Sequence, residues 1–122
     1  MRYRLALLLN EHQYHPLILK VLDTKPLQIK GFMGWKRSPV SWFGMLFLHT
    51  ESTIQSYHMH TVPFDLDCIG LDDEDKVVEV LSLNAFEKAP RRFIKAVRNV
   101  VEVRGGWARD NGLKGGQRLM LI

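Results

Sequence analysis

Short apolar runs, each closed by glycine, proline or charged residues, recur along this chain and give it the look of a β protein. The runs predict strands over Pro16 to Asp23, Trp42 to Leu48, Gln55 to His60, Asp65 to Leu71, Lys76 to Leu83, Asn99 to Arg104 and Arg118 to Ile122. A further run, Tyr3 to Leu9, has the character of an edge strand able to pair across a dimer. Asp72-Asp73-Glu74-Asp75 separates two of these runs with residues that disfavour strands, so a hairpin turn is expected there. Helical periodicity is best over Pro90 to Val97, where Phe93, Ala96 and Val97 share a face behind a proline suited to a first turn. The expected fold is therefore mainly β: a single-domain antiparallel β-sandwich or barrel of about seven short strands with one or two short helices.

Composition adds limits. The 122 residues are 46% hydrophobic and 25% charged, with no repeat or linker, so one domain spanning 1–122 is expected, residues 1–15 adding an N-terminal strand or arm. Such a domain buries roughly two-thirds of its unfolded surface and needs no metal or disulfide to hold together. Cys68 is the single cysteine, which excludes an internal disulfide and a cysteine-cluster zinc site. The apolar run Leu5 to Leu9 is too short for a signal-peptide core or membrane span, so a cytoplasmic protein without membrane contact is expected.

Charge is segregated. Residues 1–64 carry a net +4, residues 65–87 a net −7 and residues 88–122 a net +7. An acidic stretch followed by an equally basic one suggests complementary neighbours in the fold, or two opposed faces, more than a continuous phosphate-binding surface. Nucleic-acid binding through Arg91, Arg92, Lys95 and Arg98 is thereby disfavoured, though it stays an alternative.

The run Gly31-Phe32-Met33-Gly34, followed by Gly44-Met45-Leu46-Phe47, Tyr57-His58-Met59, Leu66-Asp67 and Asp72, resembles the uncharacterised family called domain of unknown function 192. Val101-Glu102-Val103 with Gly105, and Gly112-Leu113 with Gly116, continue the resemblance, which covers about residues 16–122. His58 stands where the family usually has Trp, Asp65 where it often has Pro, and Gln117 where it often has Asp. The resemblance implies a compact, mostly β fold and supplies no activity.

Several residues invite chemistry. His58 and His60, two apart on an expected strand, would face one side and suit a metal if His49 or His12 supplied a third ligand; the plainer reading makes them a filled aromatic slot and a solvated residue. Cys68 lies in an apolar run and reads as a small core hydrophobe rather than a nucleophile. Asp67, mid-strand between Leu66 and Cys68, needs a partner: backbone amides or an arginine such as Arg104. Met33, Met45 and Met59, with Phe32, Trp35, Trp42, Phe43, Phe47 and Tyr57, form either core or an apolar recognition surface. No phosphate loop or nucleophile elbow is present.

The reading that follows is a non-catalytic module for a small ligand or a protein partner, monomeric or homodimeric, without cofactor, binding near Met33, Trp35, Met45, Tyr57, His58 and Asp67. Its rival is a small metal-dependent or acid–base enzyme using His58, His60 and Asp67, which requires those three side chains to converge.

Overall fold

The computed structural model describes residues 2–11, 13–53 and 55–122. Among the described residues, nine strands and two short helices follow in the order β1 (Tyr3–Asn10), β2 (Gln13–Leu22), α1 (Lys25–Lys30), β3 (Phe43–Phe47), β4 (Ser56–Tyr57), β5 (Leu66–Leu71), β6 (Val77–Leu83), β7 (Arg91–Arg92), β8 (Asn99–Arg104), α2 (Trp107–Asp110) and β9 (Leu119–Leu121). Seven strands make one curled sheet in the order β6-β5-β8-β3-β2-β1-β9, and β4 pairs with β7 in a small second sheet. The mainly β architecture expected from the alternating runs is observed. One pairing in the large sheet, β2 with β3, is parallel, and its crossover carries α1.

The curl brings the sheet's two ends together. The acidic hairpin forms as expected, with Asp72 Oδ1 accepting the amides of Glu74 and Lys76 at 2.8 and 3.0 Å. Beyond it, Leu119 N–H donates to the Asp75 carbonyl and Val77 N–H to the Gln117 carbonyl, tying the β6 end to β9. β1 is flanked by β2 and β9, so Tyr3 to Leu9 is an interior strand and not the sheet edge expected.

Side chains on the two faces of the sheet build two cores. Ala6, Leu8, Leu17, Leu19, Leu46, Ile69, Val101, Val103 and Trp107 pack on one face. Met45, Phe47, Leu66, Cys68, Leu81 and Val100 pack on the other, beneath Phe32, Met59, Val62 and Phe93 from the segments that cover it. The period of two along a strand decides which face each residue joins.

The segment Pro90 to Val97 is not a helix, contrary to its periodicity. Its first residues form β7, and its amides bond to neighbouring chain: Phe93 N–H to the Gln55 carbonyl, Val97 N–H to the Thr53 carbonyl, and Ile94 and Lys95 N–H to Glu79 Oε1. Tertiary partners claim the donors that a two-turn helix would need for itself. Phe93 and Val97 instead press on the sheet at Gly70, where an added Cβ would lie 2.6 Å from Val97 Cγ1 and 2.9 Å from Phe93 Cε1. The two real helices lie elsewhere. In α1, Thr24 Oγ1 accepts the Leu27 amide, Pro26 occupies the first turn, and Gln28 Nε2 donates to the carbonyls of Leu22 and Leu48 at 3.0 and 2.7 Å. The last two bonds fasten α1 across the ends of the parallel pair.

The acidic and basic stretches meet within this one chain. Arg98 pairs with Asp73 at 3.4 Å, Arg91 with Glu87 at 3.2 Å, and Arg118 Nε donates to the Glu74 carbonyl. No helix among the described residues is long and apolar enough to cross a membrane.

Candidate functional site: a cavity over Glu102

The second core face is incompletely filled. Between the sheet and its cover lies a cavity of about 240 Å³, with Phe47 of β3, Leu66 of β5 and Glu102 of β8 on the sheet side. Gln28, Ile29 and Gly31 to Met33 form one wall, and His49, Gln55 to Met59 and Val62 form the other. Gly31 closes α1 with φ +43, and a Cβ there would come within 3.6 Å of Phe47 Cζ and 3.9 Å of Glu102 Oε1. Those are ordinary van der Waals distances, so it is the positive φ at this turn that favours glycine here.

Glu102 is the unusual group. It stands between Met45 of β3 and Cys68 of β5 in the sheet register and is 5% exposed. No described residue hydrogen-bonds its carboxyl, whose oxygens open into the cavity and are not sealed in protein, and it is the only acid among the described residues lining the cavity. Burial pushes its carboxyl up to about 8, so at neutral pH the group is mostly the uncharged acid, with one O–H to donate and a carbonyl to accept.

On the opposite wall, His49 Nε2 and Tyr57 Oη lie 3.2 Å apart and share a hydrogen bond. Burial raises the Tyr57 hydroxyl well above the ordinary phenol range, with charge at Cys68 and Glu102 adding to the effect. Burial lowers His49, and the nearby Lys25 ammonium lowers it further. Both groups are thus uncharged. Lys25, Lys30 and His58 stand exposed at the mouth.

The structure divides the residues expected to form one site. Met33, Tyr57 and His58 line the cavity. Met45 is wholly buried beside Glu102, as its inward position on β3 requires. Trp35 packs edge-on to Phe32 and stacks on Phe43, helping to line a separate apolar concavity formed by residues 35–40, 42 and 43, in which Trp42 is 56% exposed. Asp67 points to the other face of the sheet, where Oδ2 accepts the Ala108 amide at 2.9 Å. Of the two partners expected for it, the backbone amide is therefore the real one; Arg104 pairs with Asp110 at 3.0 Å.

The convergence required by the enzyme reading does not occur. His58 and His60 lie beyond the end of β4, both exposed, with Met59 buried between them, and Asp67 is behind the sheet. No three His, Cys, Asp or Glu side chains among the described residues are grouped to hold a metal. His12 lies outside the described residues. Cys68 is fully buried, and burial followed by the charges of Glu102 and Asp67 holds its thiol well above the usual range. The sequence marks Glu102 only as part of the Val101-Glu102-Val103 strand. The signal that singles out Asp67, a carboxylate inside an apolar run, applies equally to Glu102.

Two solved structures share this fold. A protein of unknown function from Novosphingobium aromaticivorans DSM 12444 superposes with a TM-score of 0.88 at 20% identity, over 97% of this chain and 84% of that one. A Sinorhizobium meliloti 1021 protein described as a "putative transcription regulator" also gives 0.88 at 20% identity, over 98% of this chain and 92% of that one. No curated protein gives a significant match. The family model for domain of unknown function 192, described as an uncharacterized ACR, matches residues 7–121. Matched along nearly its whole length, the chain belongs to that uncharacterised family.

Proposed function

We propose that this protein is a non-catalytic binding module that takes a small, largely apolar molecule into the cavity over Glu102. The observation that carries the reading is the Glu102 carboxyl: 5% exposed, without a hydrogen-bond partner among the described residues, and open to the cavity. Because its oxygens open into the cavity, a ligand offering a matching donor or acceptor bonds them there in place of solvent. Phe47, Met33, Met59 and Val62 supply the apolar wall around this polar point, the pattern of small-molecule sites. The protein-partner reading has the Trp35–Phe43 concavity in its favour, but that surface offers no comparable buried polar anchor.

The nucleic-acid reading is weaker still. The Sinorhizobium protein shares the fold alone at 20% identity. Of the basic residues 91–98, Arg91 and Arg98 are already paired with Glu87 and Asp73. Titration of the labelled protein with hexanamide, followed by amide NMR, tests the cavity. Shifts centred on Gly31, Phe47, Tyr57, Met59 and Glu102, abolished by a cavity-filling Met33→Trp, are expected. Shifts confined to Trp35–Phe43, or none at millimolar hexanamide, would overturn the reading.

A further inference from the structure

The cavity is chemically asymmetric along its depth. Its inner end is uncharged in character, with apolar Phe47, Leu66 and Met59 around a single carboxyl. Its mouth carries three nitrogen-bearing side chains, Lys25, Lys30 and His58, and no described Asp or Glu lines it there. Neither lysine forms an ion pair among the described residues, although several other cations of the chain do, Arg2 with Asp23, Arg91 with Glu87, Arg98 with Asp73 and Arg104 with Asp110 among them. Two uncompensated ammonium groups at the rim of a low-dielectric recess favour a negative ligand group and disfavour a positive one.

Building on the cavity reading, we propose that the ligand class is a small organic anion with an apolar body. Its carboxylate or comparable anionic group sits between Lys25 and Lys30, its hydrocarbon body lies against Phe47, Met33 and Met59, and its inner end meets Glu102. Charge separates this arrangement from its reverse. An alkylammonium ligand would bring a cation to a cavity already lined by two lysines unpaired among the described residues, and would need Glu102 ionised inside an apolar wall. An anion leaves Glu102 protonated, as burial already holds it. Lys25 and Lys30 thereby act as specificity residues, with no covalent step involved.

The test uses one hydrocarbon chain with three head groups. The full chain at pH 6.5 is titrated by calorimetry with hexanoate, hexanamide and hexylamine. Hexanoate is expected to bind about tenfold more tightly than hexanamide, a difference of about 1.4 kcal/mol. Both lysines are exposed, so the double variant Lys25→Gln/Lys30→Gln should fold and should erase that preference while leaving hexanamide affinity unchanged. Raised salt should narrow the gap as well. Equal binding of hexanoate and hexanamide, or tightest binding of hexylamine, would overturn the anion assignment and leave the cavity reading standing. Failure of all three to bind would overturn both.

Discussion

Two carboxyl groups lie one register step apart in the middle of the same sheet and meet opposite fates. Asp67 pairs across to Val103, and Glu102 to Cys68, on the adjacent strands β5 and β8. Both are 5% exposed. Asp67 faces the closed core, where the first turn of α2 delivers the Ala108 amide to its Oδ2. Glu102 faces the covered side, where no described group answers it and space remains. The first carboxyl is a structural tie that links a strand to the segment following β8. The second keeps its hydrogen-bonding capacity for whatever enters the cavity.

Removing the Glu102 charge has the largest expected effect. Unfolded, Glu102 ionises near 4.5, and folded, near 8, so between those values the native state holds a proton that the unfolded chain has lost. Its stabilising contribution is full below about 4.5, declines as pH rises and is gone by about 8. Glu102→Gln should therefore be more stable than wild type by roughly 3–5 kcal/mol at pH 9, with the gap shrinking toward pH 5, as read by urea denaturation. A gap independent of pH would contradict the assignment.

Gly44→Ala acts on the same strand from behind. The new Cβ would lie 2.7 Å from the Glu102 carbonyl oxygen, a backbone atom that cannot swing aside. A loss of about 1–3 kcal/mol is expected from such crowding, measured by the same denaturation. Asp67→Ala, in contrast, orphans the buried Ala108 amide and should cost about 1–3 kcal/mol without altering hexanamide binding. If that variant weakened hexanamide, the two carboxyls would not be functionally separate. The smallest effect belongs to His58→Ala. As an exposed rim residue it should change stability by no more than about 0.5 kcal/mol.

Most of the fold was legible because strand period and face are local properties. The alternating runs placed the six longest strands, and the four consecutive acids placed the hairpin. The periodicity at Pro90 to Val97 predicts a helix that does not form, because the segment's partners, Gln55, Thr53 and Glu79, are distant in sequence. Thr24 before Lys25-Pro26 carried the cap and proline signals of α1 but lacked a long apolar stripe to draw attention to it. The site was half legible for a related reason. Met33, Tyr57 and His58 meet in the cavity, whereas Met45, Trp35 and Asp67 are distributed by strand parity and by the loop path over the sheet. Parity also turns Glu102 toward the cavity, and that is known only once β8 is placed between β5 and β3.

The most direct test is the titration of the Glu102 side-chain carboxyl itself, followed by carbon-13 NMR and assigned with Glu102→Gln. A midpoint near 8 is predicted, with hexanoate holding the group protonated to still higher pH. A midpoint in the ordinary carboxylate range would mean that the carboxyl is solvated or paired, and the account of the cavity would fail.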